Sequence, residues 1–340
     1  MPALLRPVGI VGTGSCLPER ILTNAELEQM VDTSDEWIRT RTGIRERRIA
    51  DGNTAASDLA VPAAERALEA AGVTAKAVDL IIVATVTPDN LFPATACLVQ
   101  ERLGIKGAAA FDLSAGCSGF IYALGTAAQF IASGIYETAL VIGVEVLSKI
   151  INWQDRSTCV LFGDGAGAVV LKAVNPGEGL LGLYLGADGG GASLLTLPAG
   201  GSRLPASPTT VAEGLHTIHM NGPEVFKFAV RVMGEASLKA LAQAGLKKED
   251  VDFLIPHQAN MRIIEAATKR LGLSREKVYV NLDRYGNMSS ASIPVALDEA
   301  YREGRLKPGD KIVLVAFGAG LTWGAAVLSW NLAGPERRGE

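Results

Sequence analysis

LEAAGVTAKAVDLIIVAT, residues 68–85, and LAQAGLKKEDVDFLIPHQ, residues 241–258, are two versions of one pattern, and this repeat decides the fold. In each segment a helical run ends at Ala-Gly, a short turn follows, and Val-Asp leads into an apolar strand. The glycine and the aspartate are separated equally in both copies (79 − 72 and 252 − 245), so the copies are offset by 173 positions (245 − 72). Recurring helix–turn–strand units predict parallel strands joined by helical crossovers.

The repeat continues along the rest of the chain. RLGI (102–105) corresponds to RLGL (270–273), and the helices that end near 133–134 and 303–304 correspond at an offset of 170 (304 − 134). Strand LVIG (140–143) corresponds to IVLVAFG (312–318). The sequence therefore predicts an α/β protein of two similar halves related by a pseudo-twofold axis, with its longest helices buried between two sheets. A turn at Asn175-Pro176-Gly177 marks the boundary between the halves, which are residues 1–174 and 175–340.

Composition excludes several classes of protein. The chain has 340 residues, 48% of them hydrophobic, which is enough for a large core and two domains, and its net charge of −4 argues against a nucleic-acid binder. The start of the chain lacks the apolar core of a secretory signal, which predicts a cytoplasmic protein. Residues 113–136 carry no charge, but glycines and polar residues interrupt them, so we expect a buried helix and no membrane association. Four separated cysteines (Cys16, Cys97, Cys117 and Cys159) predict neither a disulfide framework nor a zinc site.

The stretch DLSAGCSG, residues 112–119, places Cys117 among small residues where a strand gives way to a helix. At a helix N-terminus the unpaired backbone N–H groups favour an anion, so the thiol's pKa should fall and the thiolate should be accessible. Small neighbours would let a substrate carbonyl approach. The alternative is a buried structural cysteine, the commoner fate of a single Cys.

The repeat aims two more side chains at Cys117. At an offset of 170 (287 − 117), Cys117 corresponds to Asn287, which also follows a glycine and precedes a helix. His257 comes directly after the apolar strand that ends at Pro256, at the end of a strand where α/β proteins place ligands. The sequence predicts that Cys117, His257 and Asn287 meet at one site.

Two other patterns are rejected as functional signals. Gly163-x-Gly165-x-x-Ala168 resembles a dinucleotide-binding motif, but a strand follows it where a helix is needed, so we expect a hairpin with tight glycines. His216 and His219 would point to opposite faces of a strand and have no acidic or cysteine ligand nearby, which makes a metal site improbable.

A Cys–His–Asn set is compatible with two chemistries. One is a papain-like cysteine hydrolase, whose His lies far downstream of its Cys, as here (257 − 117 = 140). The C-G-S-C-[WY] context of that family is missing. The other is acyl transfer through a thioester, followed by carbon–carbon bond formation.

Further motifs decide between these chemistries. The chain resembles β-ketoacyl-acyl-carrier-protein synthase III, a family of thiolase-fold condensing enzymes, in DEWI…RTGIRER, AGCSGF, DRSTCVLFGDGAGA, IPHQANMRII, YGNMSSASIP and FGAGLTWG. The resemblance implies a thiolase-like α/β fold layered α-β-α-β-α. It also implies an initiating condensing enzyme of type II fatty acid synthesis, an acyltransferase with acyl-CoA as substrate and no permanently bound cofactor. A starter enzyme of a polyketide-like pathway remains open as an alternative.

The resemblance also implies roles for individual residues. Cys117 would take an acyl group from acyl-CoA, and His257 and Asn287 would donate hydrogen bonds to the malonyl thioester oxygen as malonyl-acyl-carrier-protein loses CO₂. The backbone N–H groups of Cys117 and Gly320 would form the oxyanion hole.

Binding residues follow from the same resemblance. Trp37, Arg41 and Arg156 correspond to residues that sandwich the adenine of CoA and hold its phosphates. Phe92 would form a wall of the primer pocket across the interface of a homodimer. Pro223 replaces a polar residue that often faces the pantetheine arm in relatives, which leaves that contact in doubt. We expect the acidic carrier protein to dock on a basic face formed by residues Arg262, Lys269, Arg270 and Lys227. The choice of primer is not readable from the sequence.

Overall fold

The computed structural model describes residues 5–334, so the outermost residues of the two predicted halves, 1–4 and 335–340, lie outside it. The strands of the described chain are β1 (Val8–Cys16), β2 (Ile21–Thr23), β3 (Glu46–Arg48), β4 (Leu80–Ala84), β5 (Ala109–Leu113), β6 (Thr138–Val146), β7 (Asp164–Ala173), β8 (Gly179–Ala187), β9 (Leu195–Thr196), β10 (His219–Met220), β11 (Phe253–Pro256), β12 (Lys311–Gly318) and β13 (Thr322–Ser329).

The helices alternate with these strands. They are α1 (Asn24–Leu27), α2 (Asp35–Thr42), α3 (Ala56–Ala71), α4 (Thr95–Arg102), α5 (Gly119–Ala132), α6 (Pro208–Ala212), α7 (Gly222–Gln243), α8 (Met261–Leu271), α9 (Leu282–Tyr285) and α10 (Ser292–Arg302). Two short 3₁₀ turns, Gly116–Ser118 before α5 and Ser289–Ala291 before α10, carry much of the site described below.

The two large sheets have the same strand order. One runs β1-β7-β6-β4-β5 and the other β8-β13-β12-β11. In each, a parallel pair (β4 with β6, β11 with β12) is followed by two antiparallel neighbours. The counterpart of β5 is reduced to one parallel bridge between Leu254 and Val278. The duplication and the thiolase-like α/β fold predicted from the sequence are confirmed.

Helices α5 and α10 form the central layer between the sheets. One cluster of buried apolar side chains joins Ile82 of the first sheet, Leu124 of α5, Leu297 of α10 and Leu314 of the second sheet. The prediction that the longest helices lie between the sheets is wrong: α3 and α7 are longer than α5 and α10, and they pack on the outer faces of the first and the second sheet. The layers therefore follow the order α-β-α-β-α, and the uncharged stretch 113–136 contains the buried helix α5, as predicted. No helix within residues 5–334 is long and apolar enough to cross a membrane.

The linker predicted at residues 175–177 connects β7 to β8, and these two strands belong to different sheets. The division into halves 1–174 and 175–340 stays a prediction, because both sheets bury the same central helices and share one core.

The strand predicted after the glycines is present as part of β7 (Asp164–Ala173), but the predicted hairpin is wrong, because Gly165 and Gly167 lie within that strand. A long connection separates β6 from β7, and β7 lies between β6 and β1. Its glycines serve close packing instead. A Cβ at Gly165 would lie 2.7 Å from the Met288 sulfur, and one at Gly167 would lie 2.6 Å from the backbone nitrogen of Val295. The absent side chains let the chain entering α10 approach the sheet.

Candidate active site

Cys117 occupies the middle of the 3₁₀ turn Gly116–Ser118 between β5 and α5. Gly116 has φ +55°, a conformation that disfavours residues with a side chain. A Cβ at this position would also lie 2.7 Å from the backbone nitrogen of Ala319, so only glycine fits here. The hydroxyls of Ser118 and Thr322 hydrogen bond each other at 2.8 Å and both reach the carbonyl oxygen of Ala115. These contacts fix the cysteine turn against the start of β13.

The glycine-rich loop after β12 lies directly against this turn. A Cβ at Gly318 would collide with the backbone nitrogen of Cys117, so the two backbones touch because Gly318 has no side chain. Gly320, with φ +139°, lies two residues further along the same loop. The structure thus brings Cys117 and the predicted oxyanion-hole loop together.

The predicted fall in the pKa of Cys117 is wrong. Burial, which penalises the charged thiolate, raises the pKa of Cys117 to about 12. The Ser289 hydroxyl and the cysteine's own backbone N–H lower the pKa, and the negative charge of Glu145 raises it. Desolvation outweighs the helix N-terminus, so the resting residue is a neutral thiol. The sequence pattern located the helix end but could not show which distant segments surround the half-buried thiol.

His257 lies at the end of β11, where its backbone N–H donates to the carbonyl of Val315 at 2.8 Å. The side chain is buried and packs edge-on against Phe317, with ring centroids 5.8 Å apart. Burial lowers the pKa of His257 to about 3, so the imidazole is neutral. Neither ring nitrogen has a hydrogen-bond partner among residues 5–334. A buried imidazole with both nitrogens free is ready to bind a substrate atom.

Asn287 is held by backbone pairing across the two halves. Its N–H donates to the carbonyl of Leu161 at 2.8 Å, and its carbonyl accepts from Gly163 at 3.0 Å. The side-chain Oδ1 accepts the backbone N–H of Ser289 at 2.8 Å. This bond fixes the orientation of the amide and leaves Nδ2 as a donor.

Two cavities meet at Cys117. The smaller, about 150 Å³, is lined by all three predicted residues, Cys117, His257 and Asn287, together with Phe317 and Gly318. The larger, about 320 Å³, has mainly apolar walls, and its lining is Val86, Gly116, Cys117, Leu147, Ile150, Phe162, Leu195, Thr196, Leu197, Ile218, Ser289 and Ala319. Sequence reasoning brought the three residues together correctly.

Phe92 lies away from both cavities of its own chain. It is 86% exposed, next to the equally exposed Leu91, and it is not among the lining residues. Its assignment to a primer pocket therefore depends on a second copy of the chain and stays a prediction.

Trp37 in α2 is half-buried and flanked by both predicted arginines. The guanidinium carbons of Arg41 and Arg156 lie 5.7 and 5.3 Å from its ring centroid. Arg156 also donates to the carbonyl of Asp32 at 2.9 Å. This aromatic face is connected to the small cavity through Asn260, which lines the cavity and donates to the Arg41 carbonyl at 3.0 Å.

The predicted basic face is partly neutralised. Arg262 stacks over Phe226, a lining residue of the small cavity, at 5.0 Å. A guanidinium nitrogen of Arg270 lies 3.9 Å from a carboxylate oxygen of Glu235, and the Lys227 ammonium nitrogen lies 2.6 Å from a carboxylate oxygen of Glu224. Lys269 borders a separate depression on the surface. Pro223 is exposed at the start of α7, next to Gly222 in the cavity wall.

His216 lies in a turn before the short strand β10, so the predicted strand through both histidines is wrong. His216 hydrogen bonds Thr210 Oγ1 at 2.9 Å, and His219 is the first residue of the short strand β10. Within residues 5–334 no group of three or more His, Cys, Asp or Glu side chains could hold a metal ion.

Sequence reasoning missed two residues beside Cys117. Glu145 in β6 is completely buried and accepts the backbone N–H of Val86, a lining residue of the larger cavity, at 3.1 Å, and burial raises its pKa. Ser289 lines that cavity, and its hydroxyl influences the pKa values of both Cys117 and Glu145. The available signal was an acidic residue inside the apolar run LVIGVEVL, since an unpaired buried carboxylate is rare.

Comparison with known proteins agrees with this geometry. The model of the family "3-oxoacyl-[acyl-carrier-protein (ACP)] synthase III" matches residues 111–189, and the model of its C-terminal part matches residues 241–330. A β-ketoacyl-[acyl-carrier-protein] synthase III from Desulfitobacterium hafniense (strain Y51) is 66% identical over 327 residues, which are 96% of this chain and 99% of the relative.

Solved structures of the same kind superpose closely. The 3-oxoacyl-[acyl-carrier-protein] synthase III of Aquifex aeolicus VF5 is 50% identical, with a TM-score of 0.88 over 95% of this chain and all of its own. A priming β-ketosynthase of the R1128 polyketide pathway is 36% identical, with a TM-score of 0.90 over 97% of this chain and 98% of its own. The fold is not that of a papain-like hydrolase. With relatives this similar over nearly their whole length, the chain belongs to the β-ketoacyl-[acyl-carrier-protein] synthase III family of condensing acyltransferases.

Proposed function

We propose that this protein starts fatty acid chains by two reactions at Cys117. First, an acyl group passes from acyl-CoA to the Cys117 sulfur and CoA leaves. Then malonyl-acyl-carrier-protein loses CO₂, and the resulting enolate attacks the acyl-cysteine to give 3-oxoacyl-acyl-carrier-protein. The observation that supports this proposal most directly is one cavity lined by Cys117, His257 and Asn287.

The acyl-transfer step needs donors for the oxygen of the tetrahedral intermediate. Backbone N–H groups of Cys117 and Gly320 are suited to this role, because the cysteine turn and the glycine loop are in backbone contact through Gly318. Loss of one such donor costs about 3–4 kcal/mol of transition-state stabilisation. The lack of a side chain at Gly318 is what allows the two segments to come this close.

The decarboxylation step develops negative charge on the malonyl thioester oxygen. His257 is neutral at pH 7 and has an N–H to donate, since burial lowers its pKa to about 3. Asn287 is held with Nδ2 available as a second donor. Two neutral, fixed donors stabilise an enolate without leaving an uncompensated buried charge in the empty site.

The larger cavity is suited to the primer's acyl chain. Its walls are mainly apolar, and Cys117 lies at its boundary with the smaller cavity. We assign Phe92 of a second copy to this end, because its exposed ring lacks a pocket on its own chain. A homodimer is therefore part of the proposal.

The outer binding surfaces are assigned by their chemistry. The Trp37 ring with Arg41 and Arg156 on it is suited to a purine base that carries phosphates. The exposed strip of α8 with Arg262, Lys269 and Arg270, together with Lys227, is the docking face for an acidic carrier protein. Because acyl-CoA and carrier proteins are metabolites and partners of the cell interior, we place the enzyme in the cytoplasm.

A second candidate is the priming of polyketide synthesis, which the similarity to the R1128 ketosynthase favours. The chemistry at Cys117 would be the same, and only the primer and the carrier protein would differ. One methylene in an apolar pocket discriminates by about 1–3 kcal/mol, so the cavity alone does not choose the primer.

The test is the intact mass of the protein after brief incubation with acetyl-, isobutyryl- or hexanoyl-CoA, followed by peptide mapping. We expect an acyl adduct on Cys117, with adduct yields that rank the primers. Transfer of the product to a fatty-acid or to a polyketide carrier protein separates the two candidates, since the chemistry at Cys117 is the same in both. If no panel member or carrier-bound acyl donor gave an adduct, the acyl-enzyme proposal would be wrong.

A further inference from the structure

Gln258 is a completely buried amide side chain for which the two-step reaction above has no role. It follows His257 in the chain, yet it is not among the residues that line either cavity. Its Nε2 donates to the carbonyl of Pro256 at 2.8 Å and to the carbonyl of Tyr279 at 3.3 Å. Because Pro256 and Gln258 are the two neighbours of His257, the first bond closes a ring that contains the His257 backbone. This ring fixes the backbone from which the imidazole extends.

The other end of the same amide holds the start of α9. Gln258 Oε1 accepts the backbone N–H groups of Asn281 at 3.1 Å and of Leu282 at 3.2 Å. Asn281 is the residue that precedes α9, and its own side chain makes no capping bond, so Gln258 caps the helix from a distant segment. The helix ends at Tyr285, two residues before Asn287. A shift at its start would therefore be passed on to Asn287.

The amide of Gln258 is fully used. A glutamine side chain offers two N–H donors on its nitrogen and two acceptor positions on its oxygen, and here all of them are occupied by backbone groups. The bonding pattern also decides which way the amide faces, because the nitrogen meets two carbonyls and the oxygen meets two N–H groups. A buried amide with every bond made is held rigidly, and it joins the segments on its two sides rigidly as well.

The two donors of the decarboxylation step depend on these segments for their spacing. Neither ring nitrogen of His257 has a hydrogen-bond partner within residues 5–334, so the backbone and the packing against Phe317 place the imidazole. The Asn287 amide is oriented by the N–H of Ser289, which belongs to the same turn. Gln258 is the side chain that connects the end of β11, which carries His257, with the helix that leads to Asn287.

The equivalent position of the first half has no such link. The repeat pairs Gln258 with Thr85 (258 − 173). Thr85 Oγ1 accepts the backbone N–H of Thr87 at 3.0 Å and lies 3.4 Å from a carboxyl oxygen of Glu145. Neither side-chain bond reaches the turn that carries Cys117. A single nucleophile acts alone, whereas two donors to one oxygen must be matched to each other, and the amide occurs in the half that has the two donors.

We infer that Gln258 is a positioning residue for the decarboxylation step. Its amide sets the distance and the relative orientation of His257 and Asn287, so that both donors reach the malonyl thioester oxygen together. Gln258 itself does not touch the substrate. None of its hydrogen bonds involves the cysteine turn or the glycine loop after β12, so the transfer of the acyl group to Cys117 should depend on it much less.

This inference rests on the proposed function, and the test keeps the two apart. Rapid quenching and intact mass give the rate of Cys117 acylation by the CoA ester that loads fastest. Release of CO₂ from malonyl-acyl-carrier-protein by pre-acylated enzyme gives the rate of the second step. Failure of the wild type in either reaction would count against the proposed function. The inference is judged by the ratio of the two rates in a variant relative to the wild type.

Gln258→Met keeps the length of the side chain and removes all of its hydrogen bonds. We expect it to slow CO₂ release about 100-fold, because a misplacement of about 1 Å at a reacting group costs this much. Acylation and the KM for malonyl-acyl-carrier-protein should stay within about threefold of the wild type.

Thr13→Val is the matched control for the loss of a buried hydrogen bond. The Thr13 hydroxyl is buried in β1 and donates to Asp298 at 2.8 Å. Its removal should lower the free energy of unfolding in urea but leave the ratio of the two rates unchanged.

A double variant separates positioning from general damage. In Asn287→Ala one of the two donors is already missing, so their relative placement no longer matters. Adding Gln258→Met to Asn287→Ala should therefore slow CO₂ release by less than about threefold further. A general loss of structure would instead multiply the two effects.

Three results would overturn the inference: CO₂ release at the wild-type rate in Gln258→Met, equal losses of acylation and CO₂ release, or multiplied effects in the double variant. If Gln258→Met does not fold, Gln258→Glu decides. Its carboxylate still accepts the N–H groups at the start of α9 but does not donate to Pro256, so the ratio of CO₂ release to acylation should fall. An unchanged ratio in Gln258→Glu would then overturn the inference.

Discussion

The two halves of the molecule bring matching turns to the site but use them differently. The cysteine turn of the first half packs on β12 of the second half at Gly318, and the turn Ser289–Ala291 of the second half packs on β6 of the first at Glu145. The two strand positions are equivalent. Ala139 pairs with Leu80 in the first sheet, and Ile312 pairs with Phe253 at the equivalent place in the second. Glu145 lies six residues after Ala139 (145 − 139), and Gly318 lies six residues after Ile312 (318 − 312). One half has a glycine where the other has a buried carboxyl.

That difference shows how a duplicated fold builds an asymmetric site. Glycine at the first position lets a backbone approach close enough for its N–H groups to serve as donors. The carboxyl at the second position instead accepts hydrogen bonds from the hydroxyls of Thr87 and Ser290 and from the backbone N–H of Val86. The following predictions test the contrast between these two turns.

The largest effect is expected for the nucleophile of the first turn. Cys117→Ala should remove the acyl adduct and lower turnover by about 10³-fold or more, because no other cysteine of residues 5–334 lines either cavity. Intact mass after incubation with acyl-CoA measures this loss. Cys97→Ala, which changes a cysteine in α4, is the matched control and should load normally. An adduct that persists in Cys117→Ala would show that the nucleophile lies elsewhere.

The donors of the second half should affect the other reaction. His257→Ala or Asn287→Ala should lower the rate of malonyl decarboxylation about 10²- to 10³-fold, because each removes one donor to the developing enolate. Loading of Cys117 in His257→Ala should remain within a few-fold of the wild type. Release of CO₂ from malonyl-acyl-carrier-protein by pre-acylated enzyme is the measurement, with His219→Ala as the histidine control. If the His257→Ala enzyme decarboxylated malonyl-acyl-carrier-protein normally but did not acylate Cys117, His257 would act in acyl transfer and not in decarboxylation.

Gly318→Ala tests the close approach itself. The new Cβ would collide with the backbone nitrogen of Cys117, so we expect a loss of about 1–3 kcal/mol in the free energy of unfolding and slower acylation. Urea unfolding and the acylation rate are the two measurements. Gly201→Ala adds a methyl group in open space and should change the free energy of unfolding by less than about 0.5 kcal/mol. Equal free energies of unfolding for the two variants would mean that the cysteine turn can move away from the new methyl group without loss of stability.

Much of this arrangement is encoded in local patterns that can be read without a structure. The offset of about 170 residues predicted matched helix ends, and it paired Cys117 with Asn287, because the repeat unit has the same length in both halves. The end of β11 at Pro256 placed His257 correctly, since a proline limits the strand.

Other features depend on contacts between distant segments. The pKa of Cys117 was predicted in the wrong direction because the helix N-terminus is a local feature, whereas the burial that raises the pKa comes from both halves. Glu145 and Ser289 carry no motif of their own, and their relation to Cys117 exists only after β6 and the turn before α10 meet. Similarly, the basic residue Arg270 is paired with Glu235 on a neighbouring helix, which no pattern within α8 could indicate.

The smallest effect is expected in the pH dependence of the second reaction. Because the pKa of His257 is lowered to about 3, the imidazole stays neutral across the interval in which an ordinary histidine titrates. The rate of CO₂ release by pre-acylated enzyme should therefore be flat between about pH 5 and pH 8. Acylation should instead rise with pH throughout this interval, because the pKa of the Cys117 thiol is raised to about 12 and the fraction of thiolate grows with pH. A step near pH 6.5 in CO₂ release would show that His257 is solvated and titrates in the working enzyme, and the neutral-donor assignment would then be wrong. Flat decarboxylation beside sloping acylation would mean that the two halves differ in protonation chemistry as well as in sequence.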